Sequence, residues 1–173
     1  MSDILAAVTS VLSTSAARWA ALATIEPGLL ARRPAPGEWS AIQCLQHVVD
    51  TEHAVFRARV LAILEGQDFA AFHPGAEGGV DAIARPAGEL ALDLGRMRPG
   101  SLATLRGLAP DDLPRTARHA ELGTVTMAEL LSEWAAHDTM HIVQAERALM
   151  QAFIPGSGPW RPSFADHDVE AAG

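Results

Sequence analysis

Apolar residues recur at spacings of three and four along four separate stretches of this 173-residue chain, and proline or glycine closes each stretch. That period gathers apolar side chains on one face of a helix. The first stretch, about residues 2–25, carries Ile4, Leu5, Val8, Val11, Leu12, Trp19 and Leu22 in one stripe. It is expected to stop at Glu26-Pro27-Gly28, because proline has no N–H with which to continue a helix. The second opens on Ser40-Ala41-Ile42-Gln43, a capping box in which the serine serves orphan N–H groups. It continues through Leu45, Val48, Val49, Val55, Phe56, Val60 and Leu64 to Glu65-Gly66, where glycine suits a left-handed cap. The third covers about residues 87–108, and Pro99-Gly100 predicts a kink or a split in it. The fourth starts at a second capping box, Thr126-Met127-Ala128-Glu129, and runs to about Phe153, before Pro155-Gly156.

The connections are modest. Residues 31–37 form a connector with two prolines, and residues 66–80 read as a Gly- and Pro-rich loop. Residues 109–125 look extended and irregular, with room for a short strand or hairpin within 116–125 and Gly123 suited to its turn. The tail, about 157–173, is expected to be irregular and draped over the body. Neither an internal repeat nor an interdomain linker is visible. The expectation is one domain over residues 1–173, all-α, built as a four-helix bundle.

Composition removes several functions. Tyrosine is absent and aromatics total 5%, which argues against an all-β fold. The net charge is −8 and the 13 basic residues are scattered, so no stripe exists to track phosphates and nucleic acid is not the expected partner. The single cysteine, Cys44, rules out an internal disulfide framework and fits a reducing compartment. No basic N-terminal region precedes an apolar run, and no 18 uninterrupted apolar residues occur, so neither a leader nor a membrane span is expected. A cytoplasmic location follows as an expectation.

The chemistry-bearing residues are histidines, seven in all. His137 and His141 lie four apart inside the fourth helix, which sets both imidazoles on one face, one turn apart. Two nitrogens so placed can reach one metal ion at about 2.0–2.1 Å. The residue after His137 is Asp138, whereas the zinc-protease helix needs glutamate there. A third ligand must come from another helix. His47, between Leu45 and Val48, is the best candidate; His53 is six residues on, turned roughly 120° away. His53, His73, His119 and His167 read as solvated residues of polar faces or loops, although the segment around His119 could fold over a site mouth.

At these residues the sequence resembles the DinB/YfiT-like metalloenzyme family. Three stretches carry the likeness: Gly37-Glu38-Trp39-Ser40 followed by Leu45 to Glu52, the lead-in from Leu122 to Leu131, and Trp134-Ala135-Ala136-His137-Asp138 with His141. The resemblance implies a four-helix bundle whose second and fourth helices supply three metal ligands, which fall on His47, His137 and His141. It also implies a homodimer, and enzymes that act with a small thiol on an electrophilic substrate.

Three protein ligands leave an open position for water or substrate, on zinc or on nickel. Such a site suits a small-thiol-dependent transferase or a hydrolase; the other class is a non-catalytic metal-binding stress or sensor protein. Asp50 is the first candidate for proton transfer, or for an acceptor that fixes an imidazole tautomer, with Asp138 and Glu52 as alternatives. Cys44 reads as core, Trp39 and Trp134 as packing residues or pocket walls. Arg57 and Arg59 could meet an acidic thiol.

Overall fold

A computed structural model describes residues 4–73 and 85–169. Six helices and one hairpin are present among them: α1 Ile4–Leu22, α2 Pro27–Ala31, α3 Ala41–Ala54, α4 Phe56–Glu65, α5 Ala87–Arg106, β1 Thr116–His119, β2 Gly123–Thr126 and α6 Met127–Met150. Both capping boxes form: Ser40 accepts from the Gln43 N–H while the Gln43 side chain accepts from the Ser40 N–H, and Thr126 and Glu129 repeat the pattern. α1 and α3 each pack against both α5 and α6, so the order around the bundle is α1, α5, α3, α6. By length and composition α1 could cross a membrane, but Val8, Leu12, Ser15 and Trp19 are buried in the bundle.

Several local expectations are corrected. The second helix is two, because the chain breaks from helical geometry at Val55 (φ −114°, ψ −74°). Thr51 Oγ1 donates back to the carbonyls of His47 and Val48, a pattern that loosens and bends a helix. Pro27 does not merely end α1; it is the first residue of α2, whose N–H groups at Gly28 and Leu29 are capped by the Glu26 carboxylate. Pro99 does not split α5, which runs unbroken from Ala87 to Arg106. Its ring would press on the carbonyl of residue 95, which is an exposed glycine, so crowding is relieved on the solvent side. The tail folds into 3₁₀ turns over Ile154–Phe164, is closed on itself by Arg161 and Asp168, and is tied to the end of α6 by Arg147 and Gln151, which donate to the His167 carbonyl. Of the loop expected at 66–80, residues 74–80 lie outside the described residues, as do 170–173 of the tail. The expected hairpin forms with Gly123 at φ +79° on its turn, Thr116 pairing with Thr126 and His119 with Gly123.

The core has two apolar parts. One gathers Leu12, Phe56, Val60, Leu102, Leu105, Leu131 and Trp134; the other gathers Trp19, Cys44, Val48, Leu90, Leu94, Ile142 and Ala145. Between them along every long helix stand polar residues that are nonetheless buried: Ser15 on α1, Thr51 and Glu52 on α3, Arg98 and Ser101 on α5, Asp138 and His141 on α6. A polar layer therefore crosses the bundle, and the functional residues are found there.

Candidate metal centre

His47 comes from α3 and His137 and His141 from α6, the two helices whose packing closes this side of the layer. One ligand-capable atom from each lies within 4.8 Å of the others. His47 Nε2 is 3.0 Å from His137 Nε2. Two nitrogens about 2.1 Å from a shared ion can stand up to about 4.2 Å apart, so this pair is already within reach of one. His47 and His141 are buried and His137 is half-buried.

The electrostatics favour neutral rings. Burial pushes His47 down to about 4, with a further push from His141. Burial lowers His137 to about 3, again helped by its two neighbours. His141 is lowered by burial, opposed by its bond to Gln144 and by Asp138. Gln144 Oε1 can only accept, so His141 Nδ1 donates to it at 2.9 Å and the lone pair stays on Nε2. His47 Nδ1 and His137 Nδ1 are buried with no hydrogen-bond partner among the described residues. An orphaned buried group costs about 1–3 kcal/mol, so the cluster is not a core network closed by the protein alone. Three neutral imidazoles converging on one point are the donor set that zinc, nickel or a similar ion takes.

Aromatic rings hold the imidazoles. Trp39 stacks on His141 at 5.7 Å and meets His47 edge-on at 5.1 Å. Phe56 meets His137 edge-on at 5.0 Å and stacks on the fully buried Trp134. Trp39 thus walls the site, while Trp134 is core. Two cavities flank the cluster. One, of about 320 Å³, is lined by His47, His137, Thr51, Arg59, His119 and Glu133 among others. The second, of about 460 Å³, is lined by Trp39, His141 and Gln144 and is mainly apolar.

The carboxylates fall elsewhere. Asp50 is half-buried and accepts from Gln46 Nε2 at 2.7 Å. Asp138 accepts from Arg98 Nη2 at 2.9 Å, and Glu52 lies 3.4 Å from the same nitrogen while accepting from Ser101. None of the three lines either cavity. Cys44 is fully buried, and burial pushes its thiol up to about 12, so it is no thiolate. Arg59 reaches the cavity wall, donating to the Ala70 carbonyl and lying over the Phe69 ring; Arg57 donates to Thr104 instead.

Two residues escaped the sequence reading. His119 is buried, 7% exposed, not solvated. The alternation of Thr116-Ala117-Arg118-His119 carried the signal, since the register that turns Ala117 inward also turns His119 inward. Arg98 continues the four-residue spacing of Leu90 and Leu94 towards Leu102, which marks it as a charge on a buried face.

A family model described as the DinB superfamily matches residues 12–145. No curated protein matches this chain. Among solved structures, the fold is similar to that of YfiT from Bacillus subtilis, described as a probable metal-dependent hydrolase with an unusual four-helix bundle topology. The two share 20% identity over 86% of each chain, with a TM-score of 0.71. At that identity the likeness is one of fold.

Proposed function

The chain belongs to the DinB superfamily, and on that premise we propose that it is a metal-dependent enzyme that delivers water or a small thiol to a small electrophile, with His47, His137 and His141 as the metal ligands. The observation that carries this reading is access: the rings of His47 and His137 help form the wall of a cavity that also holds polar side chains. A storage or sensing site has no need of such a chamber. A bound divalent ion such as zinc or nickel would lower the pKa of a coordinated water or thiol towards about 7 and polarise an acceptor oxygen.

The chain's own residues supply the rest. Trp39 and Phe56 fix the imidazole planes, and Gln144 fixes the His141 tautomer. Glu133 stands on the cavity wall and is the candidate acceptor for a proton released there. Asp138, held by Arg98, and Asp50, held by Gln46, support the ligand-bearing turns of α6 and α3 in this reading rather than moving protons. The fold likeness to a probable hydrolase favours water as one nucleophile.

Metal analysis of protein purified without a nickel column tests the proposal. We expect about one ion per chain, lost in His137→Ala. Loaded protein should then consume an activated ester, or 1-chloro-2,4-dinitrobenzene with a small thiol, faster than the metal-free protein. Protein that arrives without metal and takes up none would overturn the reading.

A further inference from the structure

The ring of His119 is held by its own turn. Its Nδ1 accepts from the backbone N–H groups of Glu121 and Leu122, at 3.1 and 3.3 Å. A nitrogen facing two N–H donors keeps its lone pair, so the ring proton resides on Nε2. That Nε2 has no hydrogen-bond partner among the described residues, although His119 is 7% exposed. The Phe69 ring packs edge-on against the imidazole at 5.7 Å and limits its rotation. The same residue lines the cavity that His47 and His137 share.

Three of the other polar groups of that cavity already have partners within the protein. Thr51 donates to the His47 and Val48 carbonyls, Glu121 pairs with His73 at 3.1 Å, and Arg59 donates to Ala70. A mostly buried histidine with a fixed tautomer and an accessible, unused donor is placed to donate to an acceptor that enters from outside.

We propose that His119 Nε2–H is a substrate-binding donor, and that the cavity takes a small molecule bearing a carbonyl or carboxylate oxygen. The assignment rests on the metal-enzyme reading above. It makes His119 neither a ligand nor a base. It adds a second contact, so that an oxygen-bearing substrate is held by the hairpin on one side and presented to the histidine cluster on the other.

Asparagine and glutamine separate the two nitrogens. In His119→Asn the amide oxygen stands where Nδ1 caps the turn, and the cavity donor is gone. In His119→Gln the longer amide places an N–H near Nε2, and the turn loses its acceptor. Acetohydroxamate binding to the zinc-loaded protein, measured by calorimetry, is the probe. His119→Asn should bind zinc and melt like the wild type yet lose about tenfold in acetohydroxamate affinity. His119→Gln should melt lower and retain most of that affinity. Nitrogen-15 NMR of the metal-free wild type should report the Nε2–H tautomer, a reading that needs no variant. Wild-type affinity in His119→Asn, or an Nδ1–H tautomer, would overturn the assignment and leave the metal reading intact. A wild type that takes up no zinc would overturn both.

Discussion

The polar layer has two halves, and residues adjacent in sequence face opposite ones. His137 turns towards His47 and His141; Asp138 turns towards Arg98. In the arginine half, unlike charges meet within the protein: Arg98 Nη2 lies between Asp138 and Glu52, and Ser101 completes Glu52. In the histidine half the groups are alike, neutral and aimed at one another, no opposite charge meets them among the described residues, and the Nδ1 atoms of His47 and His137 are left without a hydrogen-bond partner there. Both halves carry a burial penalty. The arginine half offsets part of it by pairing opposite charges, although Arg98 Nε and Nη1 have no hydrogen-bond partner among the described residues. The histidine half leaves it standing, and a group left in that condition is poised for something the chain does not itself provide.

The largest test of the contrast is to break the arginine half. Arg98→Met leaves two carboxylates buried without their cation, and should lower stability by about 3–5 kcal/mol in urea unfolding. Adding Asp138→Asn and Glu52→Gln should recover much of that loss, since neutral amides need no counter-charge. If Arg98→Met unfolds with the wild-type midpoint, the pairing account of this half is wrong.

pH should move the two halves in opposite directions. In the metal-free protein His47 and His137 have folded values of about 4 and about 3, below the ordinary 6.5. The unfolded chain therefore binds more protons as pH falls below about 6.5. Their contribution is intact above that value and is lost progressively down to about pH 3–4. We expect about 2 kcal/mol of loss by pH 5 after allowing for partial solvent access, read as a falling denaturation midpoint and flattened in His137→Gln. Glu52 behaves oppositely. Burial raises its carboxyl, against Arg98 and Ser101. Its share of stability is complete below the ordinary carboxylate value and fades as pH rises through the elevated folded one. Glu52→Gln should remove that fading.

The smallest effect is expected at Cys44, one turn before His47 but packed in the apolar core. Cys44→Ala should leave zinc uptake unchanged and lower stability by about 1 kcal/mol. The native thiol should resist iodoacetamide at neutral pH. Rapid alkylation, or lost zinc binding, would draw Cys44 into the histidine half.

The sequence by itself determined what depends on neighbours along the chain. Helix starts at Ser40 and Thr126 were legible because a capping box closes within four residues. The shared face of His137 and His141 was legible because helical pitch decides it, and Gly123 announced the hairpin turn. Only the tertiary structure decided what depends on approach from afar. The spacing of Arg98 puts it on a buried face, but its partners are unknown until α3 and α6 bring Glu52 and Asp138 to it across the bundle. His119 reads as a hairpin polar residue until the strand settles beside Phe69 and turns one of its faces inward. Val55 belongs to a continuous apolar stripe, yet the helix breaks there. The physical reason is common to Arg98 and His119, whereas the break at Val55 follows the local back-bonding of Thr51. Local hydrogen bonds specify which way a side chain leaves its own element, whereas burial and charge pairing depend on which other elements arrive.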